Sequence, residues 1–297
     1  MGHEWAGEVV ALGPGVTEFK IGDRVAGEAH KGCGICDNCK KGNYSVCLNY
    51  GRDGHDGGVD MGHRHYGFAW QGANAEYNAY NVGAIHHIPD NVSYDVAAMC
   101  DTAGVAMHGI CLSGITPGGN VVVIGPGPIG LCAMQIAKGM GAGKVIMIGR
   151  GSKLAFAGQM GADVMIDFEK EDVVKRVLEE TGGIGADEVL ECSGANDSPA
   201  KACYMARKTG KIVLTANYRD DRPQFQLPLN TIVFNELKIL GSKANPNVSD
   251  IVLEYFSKGI IKGEALVTHR FPLEEYPKAV DLFENKRDNV IKVVIHP

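Results

Sequence analysis

The sequence runs to 297 residues, 22% of them charged and 45% hydrophobic, and contains 40 glycines. Glycine stands at roughly twice its ordinary share of about 7% but follows no G-X-Y period, which excludes a collagen-like chain, and the apolar content excludes a disordered one. A net charge of −6 gives no field favouring nucleic acid or an anionic membrane, and the length suits about two domains at roughly 100–200 residues each.

The chain opens on Met1-Gly2-His3-Glu4, polar at once, which does not read as a secretory signal. Up to about Cys100 the apolar runs are short, at 7–12, 23–26 and 75–80, and turn residues are frequent. That pattern predicts short antiparallel strands. Residues 52–65, with four glycines and three histidines, read as a loop. Within it His63, Arg64 and His65 are expected to be solvated or substrate-facing rather than metal ligands. His86-His87 before Pro89 marks a strand end, as does His269. Residues 102–137 carry no Asp, Glu, Lys or Arg but are broken by eleven glycines and prolines, so a strand–turn–helix suits their second half better than a membrane span. Strands are then expected at 120–124, 144–148, 164–167, 187–191 and 211–216. Helices are expected at 129–140, 153–160, 171–181 and 198–207. Such alternation predicts βαβ units and a parallel sheet. The last stretch reads as a helix at 248–258, a strand near 267–271, a helix at 273–285 and a strand at 290–295.

Two motifs carry chemistry. The strand 120–124 runs into Gly125-Pro-Gly127-Pro128-Ile129-Gly130 and then a helix, which is G-x-G-x-x-G in its strand–turn–helix context. The first glycine permits the tight turn and the second the approach of a pyrophosphate. The third permits close helix packing, and the helix start attracts phosphate. No acidic residue lies between Gly130 and Ala162 to hold a ribose 2′-hydroxyl. Arg150, with Ser152 or Lys153 nearby, is placed to take a 2′-phosphate, which favours NADP over NAD; otherwise Arg150 is a solvated turn residue. The second motif is Cys33, Cys36, Cys39 and Cys47, spaced C-x2-C-x2-C-x7-C. Four thiolates at this spacing close a tetrahedral zinc shell with no open position, a structural site. Of nine cysteines in all, Cys111, Cys132, Cys192 and Cys203 are expected to be packing residues. The odd count suits a reduced, cytoplasmic chain better than a disulfide framework.

The motifs together resemble the zinc-containing alcohol dehydrogenases of the medium-chain dehydrogenase/reductase superfamily. Gly2-His3-Glu4 with Gly7, Gly13 and Val16 follows the signature G-H-E-x2-G-x5-G-x2-V. Gly22-Asp23-Arg24-Val25, the cysteine lobe, the Gly125–Gly130 turn and Glu191-Cys192-Ser193-Gly194 follow in the family's order. The likeness spans the whole chain and is strongest to the threonine, sorbitol and secondary-alcohol dehydrogenase branch. It implies an α/β fold in which a Rossmann doubly wound parallel sheet (102–242) is inserted in a GroES-like, mostly β catalytic domain (1–101, with the structural zinc lobe at 33–47, and 243–297). It also implies a catalytic zinc with His3 as ligand, Glu4 as its neighbouring partner or alternate ligand, and Asp101, preferred to Cys100, as a further ligand. Ser193 at the strand end falls to the cofactor. Lys292 sits where the family often has a basic residue near the pyrophosphate, or is an ordinary surface lysine. The implied substrate is a small alcohol or ketone and the implied assembly a homodimer or homotetramer.

The family's first catalytic ligand is a cysteine about twenty residues ahead of G-H-E, and these 297 residues begin at that motif. The expectation is therefore an N-terminally incomplete dehydrogenase that holds the structural zinc well and the catalytic zinc less tightly, with unpaired sheet edges in its first domain. Two other readings compete. A zinc-independent quinone-reductase type is opposed by the cysteine lobe and the G-H-E residues. A catalytically impaired nucleotide-binding homologue is kept open by the missing cysteine.

Overall fold

The computed structural model describes residues 1–49, 64–68, 70–218 and 226–297. The chain divides into two units, Met1–Gly104 with Lys243–Pro297, and Val105–Ser242. In the first unit the elements are β1 (Trp5–Glu8), β2 (Arg24–Gly27), β3 (His30–Lys31), α1 (Asp37–Lys40), β4 (Arg64–His65), β5 (Ile85–His87) and α2 (Tyr94–Ala97). They form small antiparallel sheets, one of order β1-β2-β5 and one pairing β3 with β4. The helix α3 (Cys100–Ser113) carries the chain into the second unit.

The second unit follows as β6 (Asn120–Ile124), α4 (Pro128–Gly139), β7 (Lys144–Gly149), α5 (Gly151–Met160), β8 (Val164–Asp167), α6 (Val173–Glu180), β9 (Ala186–Glu191), α7 (Ser198–Met205), β10 (Ala206–Leu214), α8 (Leu229–Phe234) and β11 (Lys238–Gly241). The six strands are parallel in the order β8-β7-β6-β9-β10-β11. That is the order of a Rossmann sheet, with the reversal point between β6 and β9. The strands are apolar runs because both faces are covered. Val122, Ile146, Ile166, Val189 and Ile212 are fully buried in one cluster. Helix starts are chemically marked. Pro128 takes the first turn of α4, where its missing N–H costs nothing, and the Asp172 carboxylate caps α6 by accepting from Val174 and Lys175 N–H.

The chain then returns to the first unit with α9 (Ser249–Ser257), α10 (Gly263–Leu266), β12 (Val267–Pro272), α11 (Tyr276–Glu284) and β13 (Lys292–His296), where β12 and β13 pair in parallel. Several expectations need correction. Residues 75–80 form no strand; the Ala79 carbonyl accepts from the Gln71 side chain instead of a strand partner. The helix α3 fills most of a stretch that the sequence left without an element. His269 lies inside β12, opposite Val293, not at its end. Cys111 is exposed rather than a packing residue, whereas Cys132 and Cys203 are buried. Among the described residues no helix is long and apolar enough to cross a membrane.

Candidate active site

The four cysteines come together on the short helix α1 and the turns around it. Their Sγ atoms all lie within 4.8 Å of one another, with Cys33 to Cys39 and Cys36 to Cys47 both at 3.9 Å. Zinc–sulfur bonds of about 2.3 Å set the edge of a tetrahedron near 3.8 Å, so the lobe fits a zinc ion as it stands. Backbone N–H groups already point at the sulfurs: Cys36 N–H at Cys33 Sγ and Cys39 N–H at Cys36 Sγ, each 3.4 Å. The latter holds the Cys36 thiol down to about 6, and donors of this kind favour thiolate.

A second cluster joins residues from opposite ends of the first unit. His3, at the entry to β1, Glu4 and Asp101, on the first turn of α3, each offer one donor atom within 4.8 Å of the others. His3 Nε2 is 4.0 Å from Glu4 Oε1 and 3.8 Å from Asp101 Oδ1. A tetrahedral site with bonds near 2.1 Å has edges of about 3.4 Å, so a shift of a few tenths of an ångström closes the set, and N/O/O donors suit zinc. The remaining atoms are held by neighbours. Glu4 Oε2 accepts from Lys292 Nζ, which also donates to Thr102 Oγ1 at 3.0 Å. Asp101 Oδ2 accepts from Ala29 N–H at 3.1 Å. Burial pushes Asp101 up to about 7, with the nearby Glu28 carboxylate adding to the effect. Burial, Lys292 and His65 drive His3 down to about 4, leaving the ring neutral with a lone pair available. Burial lowers Lys292 to about 8. All three shifts have burial as their first cause, because burial disfavours the charged form of acid and base alike.

Lys292 is therefore no ordinary surface lysine. Its ammonium belongs to the His3 cluster. Cys100 is turned from that cluster, its thiol donating to the Ser249 carbonyl at 3.6 Å, so Asp101 alone of the pair joins it. His65 is not solvated: its buried ring stacks between His30 and Phe68, with centroids at 4.4 and 4.1 Å, and Phe68 lies against His3 at 4.6 Å. Arg64 covers the Trp70 ring at 4.5 Å. His63 and the rest of 50–63 lie outside the described residues.

In the second unit the glycine turn has the geometry its sequence requires. Gly125 has φ +104°, and a Cβ there would lie 2.9 Å from Ser193 Cβ. A Cβ on Gly130 would lie 2.0 Å from the Gly125 carbonyl oxygen. Gly127 begins α4, with Pro128 and Ile129 in its first turn. Ser193 is fixed against this turn by Glu191, a fully buried carboxylate that accepts from the Ser193 and Gly194 N–H groups and from the Ser193, Ser198 and Tyr218 hydroxyls. Arg150 follows β7, where its exposed guanidinium pairs with Glu169 and lies 5.6 Å over Phe168. Lys153 sits half-buried in the first turn of α5.

The zinc-binding dehydrogenase family pattern matches residues 128–254, and the alcohol dehydrogenase GroES-like domain matches residues 1–90. A sorbitol dehydrogenase of Halalkalibacterium halodurans is 34% identical over 302 residues, covering 100% of this chain and 83% of that protein. The chain belongs to the zinc-type medium-chain alcohol dehydrogenases. An L-threonine 3-dehydrogenase of Bacillus licheniformis is 35% identical to this dehydrogenase over 100% of the chain and 81% of its own. A zinc-binding dehydrogenase of Sinorhizobium meliloti 1021 solved with NADP superposes with a TM-score of 0.88 at 29% identity, covering 99% of this chain and 82% of that one. The dehydrogenase therefore has the Rossmann and GroES-like domains of its family. Sequence reasoning missed its buried polar residues Glu28, Asn245 and Ser249 and their half-buried partner Tyr44. A carboxylate at Glu28, just after the apolar Val25-Ala26-Gly27, was their one visible signal.

Proposed function

We propose that this dehydrogenase oxidises a small secondary alcohol of the polyol or threonine type, with zinc at His3, Glu4 and Asp101 and a nicotinamide dinucleotide at the Gly125–Gly130 turn. The convergence of three donor atoms from residues 3, 4 and 101 within 4.8 Å carries this reading. When bound, zinc would supply a Lewis acid for the substrate oxygen and the nicotinamide a hydride acceptor. The chain's own residues prepare the site. His3 presents a neutral nitrogen, Lys292 occupies Glu4 Oε2 so that Oε1 faces His3, and Ala29 N–H orients Asp101. Cys33, Cys36, Cys39 and Cys47 hold a second, structural zinc, and their thiols stay reduced in a cytoplasmic setting. Related proteins act on sorbitol and threonine. The test is formation of reduced nicotinamide from sorbitol, L-threonine and simple secondary alcohols with zinc and either NAD or NADP. Turnover on at least one is expected, and none on any would contradict the reading.

Arg150 supports a preference for NADP. Its partner Glu169 is exposed, and an exposed ion pair of about 0–1 kcal/mol yields readily to a 2′-phosphate. Lys153 in the next turn adds a second cation. A homodimer or homotetramer is supported by the exposed Leu229, Val233 and Phe234 of α8, the helix that precedes the edge strand β11. Light scattering should give a multiple of the 31.7 kDa chain, and Phe234→Asp should lower it; a wild-type monomer would contradict this.

A further inference from the structure

The segment joining β2 to β3 runs beside Asp101, with Ala29 N–H donating to Asp101 Oδ2 at 3.1 Å. The preceding residue is Glu28, whose side chain is anchored on both oxygens. Glu28 is buried, and its two oxygens accept from different parts of the unit: Oε1 from Tyr44 Oη at 2.7 Å and Oε2 from Ser249 Oγ at 2.8 Å. His86 Nε2 closes a third side at 3.8 Å. A buried carboxylate tolerates little change in such partners, because losing one leaves charge unpaired.

Tyr44 belongs to the cysteine lobe, lying between Cys39 and Cys47. A Cβ placed on Gly32 would lie 2.6 Å from both Cys39 Sγ and Tyr44 Cβ, so Cys39 and Tyr44 close on the same glycine. Its hydroxyl accepts from Asn247 N–H at 2.9 Å, and Asn247 Nδ2 donates to the Gly42 carbonyl at 2.8 Å. From the other side, Asn245 Nδ2 donates to Ser249 Oγ at 3.4 Å, and Asn245 packs on the helix that carries Asp101, where a Cβ on Gly104 would lie 2.6 Å from Asn245 Cβ. Ala29 N–H holds Asp101 directly, and Asn245 braces the helix of Asp101 at Gly104. Ala29 follows Glu28 in the chain, Asn245 reaches Glu28 through Ser249, and Glu28 leads through Tyr44 to the lobe.

We propose that Tyr44 and Glu28 are positioning residues that transmit the closed state of the four-cysteine lobe to Asp101, so that zinc in the lobe tightens metal binding at His3, Glu4 and Asp101. This rests on the reading of that cluster as a metal site. Coupling between two binding events is reciprocal, and hydrogen-bonded partners behind a ligating carboxylate typically govern about 10–100-fold in metal affinity.

The test is a cobalt titration of the full chain with its lobe zinc loaded, read by the visible absorption of the second site, for wild type, Tyr44→Phe, Glu28→Gln and the double variant. Tyr44→Phe should weaken cobalt binding by about 10-fold while keeping one lobe zinc. The double variant should bind no worse than the weaker single, since both cut one path. Unchanged cobalt affinity in a Tyr44→Phe chain that keeps its lobe zinc would overturn the proposal. Should Tyr44→Phe lose the lobe zinc, Glu28→Gln decides instead, and unchanged affinity there overturns it equally. A wild type that takes up no second metal at all would sink the site assignment itself.

Discussion

The four-cysteine lobe and the His3–Glu4–Asp101 cluster both pack their donor atoms within 4.8 Å, but they are made differently. The lobe draws all its donors from Cys33 to Cys47, and neighbouring backbone N–H groups serve the sulfurs. The second cluster needs β1 to bring residues 3 and 4, α3 to bring residue 101 and β13 to bring Lys292. One is nearly complete as a peptide, while the other exists only once the unit has folded. On the proposed reading the first serves stability, and the second, with mixed donors and only three of them, keeps a position for substrate.

The largest effect is expected at the lobe. Structural zinc in small domains contributes on the order of 10 kcal/mol, comparable with a typical whole-domain stability of about 5–15 kcal/mol. The double substitution Cys36→Ser/Cys39→Ser should abolish cooperative unfolding of the first unit while the Rossmann unit still melts, as calorimetry can resolve. An unchanged melting profile would show that the lobe is dispensable. Next comes Asp101→Asn, which should cut turnover by about 100-fold or more, beyond the range for outer partners, while zinc analysis still finds the lobe ion. Retained turnover would remove Asp101 from the metal site.

Two smaller effects sharpen the contrast between the metal sites and the nucleotide turn. Gly125→Ala forces a side chain into φ +104° and against Ser193. With strain of about 1–3 kcal/mol, cofactor affinity measured by fluorescence should fall about tenfold or more, with both zinc ions retained. Arg150→Ala should raise the dissociation constant for NADP by about tenfold, the worth of a charge-assisted hydrogen bond, and leave that for NAD unchanged. Equal effects on both would assign Arg150 to the turn alone.

Legibility followed the same divide. The lobe and the glycine turn are local, so spacing alone named Cys33, Cys36, Cys39, Cys47, Gly125, Gly127 and Gly130, and the alternating apolar runs named the sheet. The helix α3 was not legible, because it is buried on nearly every face and shows no polar stripe, and because Gly104 and Gly109 read as breakers. Residues 75–80 alternate as a strand does, yet their backbone meets a side chain instead of a neighbour strand. The family likeness named His3, Glu4 and Asp101. The place of Lys292 among them depends on a pairing between the two ends of the unit, which no local pattern encodes.

Chelator titration of zinc-loaded protein, with zinc counted per chain in wild type and Asp101→Asn, tests most directly whether one chain carries both a self-contained metal lobe and a second, fold-assembled metal site. Two zinc ions should be released in two steps, with Asp101→Asn losing only the weaker. A single step in the wild type, or two unaltered steps in Asp101→Asn, would contradict that.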